Sequence, residues 1–126
     1  MEELLARVAA AAGIDEGLAG KAIGIILAFL QKEGPAAEIG ELMAALPGAQ
    51  ALADAEGGAK GGMLGAIGGM MGGGVMALGG QLMGAGLSMD QIQRVSKEMF
   101  AVGREKAGED AMGAIVGAIP GLGQFV

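Results

Sequence analysis

The chain has no histidine, cysteine, tryptophan or tyrosine, and it also has no threonine or asparagine. Histidine and cysteine supply most general bases, thiol nucleophiles and transition-metal ligands near neutral pH, so these chemistries lose their usual side chains. Without cysteine there is neither a disulfide framework nor a zinc site. Ser88 and Ser96 are the only hydroxyl side chains. The composition therefore predicts a protein without enzymatic activity and without a bound cofactor or metal.

Basic residues are also few, with 8 Lys and Arg against 14 Asp and Glu and a formal net charge of −6. No cluster of Lys and Arg is interleaved with aromatic residues, whereas a protein that binds nucleic acid needs such a basic surface. We therefore expect no nucleic-acid partner. The N-terminal residues Met1-Glu2-Glu3 lack the basic and apolar regions of a secretory signal, which favours a cytoplasmic location.

Aliphatic and small residues are abundant: 52% of the 126 residues are hydrophobic, and there are 27 Gly and 10 Met. Apolar residues recur at helical spacing, so the sequence predicts one all-α domain. Ser88 and Gln91 have capping-box spacing, while Leu87 and Ile92 occupy the two positions of a hydrophobic staple. The expected helices cover about 2–12, 16–32, 36 to the Pro-Gly pair at 47–48, 88–108 and 109–119. The first of them looks like an N-terminal extension.

A shift of 73 residues aligns the two ends of the chain without a gap. Residues 45–48, Ala-Leu-Pro-Gly, fall on 118–121, Ala-Ile-Pro-Gly, and Gly13 falls on Gly86. This pattern predicts a duplicated helical hairpin, with coincidence in a low-complexity composition as the alternative. Each hairpin has an apolar face that it cannot bury alone, and pairing within one chain or between two chains would bury the same residues. The predicted parts are hairpin repeats at 13–52 and 86–126 and a central Gly/Met-rich segment at 59–85.

The central stretch 61–87 has no charged residue, and 12 of its 27 residues are glycine. We expect one or two Gly-rich helices packed against the hairpins, with Met filling irregular gaps. A weakly ordered linker that exposes Met and Leu is a second interpretation, and a membrane-inserted helical pair is a third, since glycines spaced by four suit close helix packing in bilayers. High glycine content and the lack of Trp and Tyr anchors disfavour the membrane interpretation. The candidate interaction surface is Met63, Leu64, Ile67, Met70, Met71, Met76, Leu82 and Met83.

Carboxylates provide the other candidate chemistry. Glu38 and Glu41 are spaced i and i+3, and Glu109 and Asp110 open a predicted helix, so either pair could act in acid–base catalysis or bind a hard cation. The favoured interpretation is structural, since acids complement a helix N-terminus and charged residues occupy solvated helix faces. Ser88 is assigned to the helix cap, because it has capping-box spacing to Gln91. The glycine runs match no phosphate-binding pattern.

Three short motifs carry a resemblance to known proteins: Gly-Leu-Ser-Met-Asp-Gln-Ile at 86–92, Arg-Glu-Lys-Ala-Gly at 104–108 and Ile-Pro-Gly-Leu-Gly-Gln-Phe at 119–125. With them the chain resembles a group of small uncharacterised bacterial proteins, some known as hypothetical or integron gene-cassette products. The resemblance covers most of the chain and implies a bacterial origin and an all-helical fold. It implies no activity, ligand or catalytic residue.

The functional hypothesis from the sequence is a non-catalytic helical module that binds a protein partner or self-associates. It rests on the duplicated apolar faces, the Gly/Met-rich centre and the missing catalytic side chains. The alternative is a membrane-associated protein that inserts 61–87.

Overall fold

The computed structural model describes residues 2–57, 75–119 and 121–124. These ranges contain helices and turns and no β-strand, so the predicted all-α class is confirmed. The boundaries lie close to those expected from the capping and glycine signals. The elements are α1 (Glu2–Ala12), α2 (Glu16–Glu33), α3 (Ala36–Ala45), α4 (Ala49–Gly57), α5 (Val75–Gly84), α6 (Met89–Ala107), α7 (Glu109–Ala118) and a short 3-10 helix at Leu122–Gln124.

Side-chain caps begin the two long helices. The Ser88 hydroxyl accepts a hydrogen bond from the Gln91 backbone N–H (3.2 Å), and Oε1 of Gln91 accepts one from the Ser88 N–H (2.9 Å). Asp15 caps α2 in a similar way, because its Oδ1 accepts from the Leu18 N–H at 2.6 Å. Each bond satisfies a backbone N–H that has no partner inside the helix. The predicted capping box is therefore present.

The core is aliphatic and is shared by nearly every helix. α2 packs against α1, α4 and α5 and is buried around most of its circumference, as expected for a helix that is apolar on all sides. α6 packs against α1, α5 and α7, and α3 packs against both α6 and α7. The largest fully buried side chains are Phe100, Ile23, Ile26, Leu27, Leu30, Leu42, Leu78, Leu82, Ile92, Met99, Met112 and Ile115.

α1 is an integral part of this core, and the expectation that it is an N-terminal extension is wrong. Leu4 and Val8 have relative exposures of 2% and 0%, and the helix packs mainly against α6. The sequence showed the apolar positions of α1 but not the surface that they cover. That surface lies about 90 residues away along the chain.

α4 was not predicted as a helix. Its nine residues contain one large apolar side chain, Leu52, and follow a Pro-Gly pair, so they resemble the end of a hairpin. Its helical structure depends on packing, because Ala49 and Ala53 are buried and α4 lies closely along α2. A Cβ atom added to Gly20 of α2 would lie 3.9 Å from Cδ2 of Leu52, which shows how near the two helices approach.

Three helices begin at positions that recur after 73 residues. We call residues 2–57 unit 1 and residues 75–124 unit 2. α1, α2 and α3 begin 73 residues before α5, α6 and α7 respectively. The turn hydrogen bonds recur with them: Ile14 N to Ala9 O (3.0 Å) matches Leu87 N to Leu82 O (3.2 Å). The correspondence thus includes α1 and α5, which lie outside the predicted hairpins.

The two units pair within the chain. α1 of unit 1 packs on α6 of unit 2, and α5 of unit 2 packs on α2 of unit 1, while α3 packs on α7. The first helix of each unit therefore covers the second helix of the other. The positions equivalent to the start of α4 form the 3-10 helix Leu122–Gln124.

Candidate functional site

The predicted interaction residues do not form one surface. Leu82 is fully buried and belongs to the core, whereas Met83 beside it is 53% exposed. Met76 lies on α5. The remaining five lie outside the described residues: Met63, Leu64, Ile67, Met70 and Met71.

Two exposed methionines flank the turn between α5 and α6. Met83 is 53% and Met89 51% exposed, and within the described ranges they are the exposed large hydrophobic side chains. Residues 73 positions earlier are Ala10 and Glu16, so the feature is specific to unit 2. We call Met83 and Met89 the methionine pair. Sequence reasoning selected the first and missed the second, which stands at the first position of α6 beside the cap.

The outer surface of α5 next to Met83 has no side chain at two positions, Gly80 and Gly84. A Cβ atom added to Gly80 or Gly84 would meet no atom within 4 Å. Gly80 lies three residues before Met83 and so on a neighbouring position of the helix surface, and Gly84 lies four residues after Gly80 on the same side as that glycine. The other side of α5 is buried through Leu78 and Leu82. None of the described helices combines the length and apolarity needed to cross a bilayer.

The candidate carboxylates lie on two helices, α3 and α7. Glu41, Glu109 and Asp110 are exposed and Glu38 is half-buried, and no group of three potential metal ligands occurs among the described residues. Glu109 and Asp110 lie in the first turn of α7, where negative charge is favourable. Ser88 is exposed and engaged in its cap. These side chains thus occupy the structural positions that the sequence favoured.

An ion-pair cluster joins α1 to α6. Nη2 of Arg7 lies 2.9 Å from Oε2 of Glu98 and 2.9 Å from Oε2 of Glu105, and Nη1 donates to Oε1 of Glu105 at 3.2 Å. The hydrogen bond with Glu105 is the main reason that the pKa of Arg7 is raised. The same bond, with the charge of Arg7, lowers the pKa of Glu105. Sequence reasoning missed the cluster because Arg7 lies more than 90 residues from both glutamates and shares no local pattern with them.

An open groove of about 380 Å³ runs between the end of α1 and α6. Its polar members are Arg94, Lys97 and Glu98, and its floor is formed by Ala11 and Ala101. Nε of Arg94 lies 2.9 Å from Oδ2 of Asp90 one turn earlier. The groove is shallow and its two cations, Arg94 and Lys97, are exposed, so it is shaped to receive a surface rather than to enclose a small molecule.

Comparisons with protein-family models, with curated proteins and with solved structures find no match to this chain. The methionine pair and the α1–α6 groove are the two candidate binding surfaces of the described residues.

Proposed function

We propose that the protein is a non-catalytic helical module that self-associates or binds a protein partner. The observation that carries this proposal is the methionine pair, whose apolar side chains face solvent beside the flat glycine surface of α5. Methionine is enriched in protein interfaces because its flexible, polarisable side chain adapts to varied partners. The pair also continues, along the sequence, the uncharged Gly/Met-rich stretch.

The described side chains favour binding over catalysis. Ser96 is the buried polar residue of the described part, and the pKa shifts of Arg7 and Glu105 arise from their ion pair between α1 and α6. Active sites instead place perturbed titratable groups together inside a cleft. A binding module needs no such arrangement.

Light scattering combined with methionine oxidation tests the proposal. We expect the mass of the full chain to rise above 12.3 kDa with concentration, or with an added partner. The double variant Met83→Gln, Met89→Gln should remain at the monomer mass, because its side chains no longer gain from being removed from water. Peroxide should oxidise both methionines in the dilute protein and oxidise them more slowly in the associated form.

The matched control is Ala10→Gln, Glu16→Gln, which makes the same substitution at the equivalent exposed positions of unit 1 and should associate like the wild type. A strictly monomeric protein in which the methionine pair resists oxidation would contradict the proposal.

Membrane association through 61–87 is the alternative, favoured by the absence of charge in that stretch. Flotation with anionic and neutral liposomes separates the two candidates. If the protein does not float with liposomes, the membrane candidate is excluded. If the wild type floats, and the variant with both methionines of the pair replaced floats equally well, the membrane candidate is favoured.

A further inference from the structure

The two units differ at one surface of their long helices. In unit 1, α4 packs along α2: a Cβ atom added to Gly20 would lie 3.9 Å from Cδ2 of Leu52 on α4 and 3.3 Å from Cδ2 of Leu5 on α1, and Nε2 of Gln31 donates to Oε1 of Gln50 at 2.8 Å. Gly20 and Gln31 therefore mark the surface of α2 that accepts a helix.

The equivalent surface of α6 is open. Gln93 and Arg104 stand 73 residues after Gly20 and Gln31, and both are exposed, as is Lys97 between them. Their spacing of four and seven residues places all three on one side of the helix. No described element covers this side, because α1 contacts α6 along the neighbouring side marked by Glu98.

This open surface has three kinds of contact group. Met89 lies one turn before Gln93 and adds an exposed apolar side chain, and Ala101 adds the floor of the α1–α6 groove. Lys97 and Arg104 have no ion-pair partner among the described residues. We define the α6 face by its members, which are Met89, Gln93, Lys97, Ala101 and Arg104.

α4 indicates what such a surface receives. It is a short helix with buried Ala49 and Ala53 on one side, and its sequence has two acids, Asp54 and Glu56, and no base. On α2 it lies near Gly20 and Gln31, whereas on α6 the equivalent surface has two cations, Lys97 and Arg104. Opposite charges across an interface accelerate encounter and select partners.

We propose that the α6 face binds an acidic amphipathic helix of a partner protein, in the position that α4 occupies on α2. The inference rests on the proposed binding function and names its partner class. Ala11 and Ala101 leave room for a close helix approach, Met89 supplies the apolar contact at one end, and Lys97 and Arg104 pair with carboxylates.

Fluorescence anisotropy with the full chain tests this proposal. The probe is a labelled peptide of residues 46–57, which reproduces α4 and its preceding turn. We expect saturable binding at low salt that weakens as salt screens the charges. The variant Lys97→Glu, Arg104→Glu should bind at least about tenfold more weakly, since it replaces two attractive contacts with repulsive ones. The control Lys21→Glu, Lys32→Glu makes the same charge change on α2 and should bind like the wild type.

An isolated peptide of this length is a weak helix, so a tethered version provides the second measurement. Residues 46–57 are appended after Val126 through a flexible Gly/Ser linker, which raises the effective concentration to the order of millimolar. The fusion should raise the thermal midpoint of the wild type and leave that of Lys97→Glu, Arg104→Glu unchanged. Circular dichroism checks that each variant is folded.

Absence of binding in both formats, or binding that ignores the charge reversal, would overturn the inference. If the methionine pair still controls association, only the α6 face is wrong and the binding function stands. If the protein is also monomeric with protected methionines, both proposals fail.

Discussion

Gly103 shows how one residue determines the approach of three helices. It lies in the middle of α6, where a Cβ atom would be 2.7 Å from Cε and 2.8 Å from Sδ of Met112 on α7, and 3.3 Å from Cδ1 of Leu42 on α3. Its counterpart in unit 1 is Leu30, so the same position holds a large side chain in one unit and none in the other. Its backbone is ordinary α-helix, so what limits this position is space: an added methyl group would displace the end of the Met112 side chain, which is buried.

We therefore expect Gly103→Ala to destabilise the fold by about 1–3 kcal/mol, because Met112 has to move out of a packed site. The matched control is Gly113→Ala, also inside a helix but with open space around the added methyl group, which should stabilise by about 0.5–1 kcal/mol. Urea denaturation measures both. Equal effects of the two substitutions would show that backbone propensity, and not packing against Met112, governs position 103.

At the scale of the element, the start of α6 depends on a reciprocal pair of bonds between Ser88 and Gln91. Ser88→Ala should cost about 1 kcal/mol, because it leaves the Gln91 N–H without its acceptor. Ser88→Asp keeps an acceptor at the same place and should retain most of the stability. Thermal unfolding compares the variants, and a loss shared equally by alanine and aspartate would exclude the cap as the cause.

For the whole molecule, the important contact is that of α1 with α6, which joins the first helix of unit 1 to the long helix of unit 2. Leu4 is 2% exposed, so Leu4→Ala should cost about 2–5 kcal/mol and lower the midpoint of a single cooperative transition. Glu3→Ala changes the exposed neighbour and should shift stability by less than about 0.5 kcal/mol. Hydrogen exchange adds a second measurement, because α1 amides should then exchange together with those of α6. Separate early loss of α1, with α6 still protected, would mean that the helix is not part of the core.

Sequence reasoning worked best where the relevant atoms are a few residues apart. The capping box at Ser88, the end of α2 near the Gly-Pro pair and the start of α7 all depend on hydrogen bonds between near neighbours, so local residue types determine them. The candidate site was less accessible. Met83 and Leu82 were both chosen as interaction residues, yet Met83 is exposed and Leu82 is buried, and the exposed Met89 was missed, since exposure depends on which helices lie alongside.

The sequence by itself determined the all-α class, the boundaries of the long helices and the lack of the usual catalytic side chains. These follow from composition and from interactions within about four residues. Only the tertiary structure decided that α1 packs on α6, that 49–57 is helical, and that Arg7 meets Glu98 and Glu105. It also decided that the surface of α2 is covered by α4, whereas the equivalent surface of α6 is open. The reason is physical: burial is a property of the elements that meet, and residues far apart in the chain share no local pattern that records their contact.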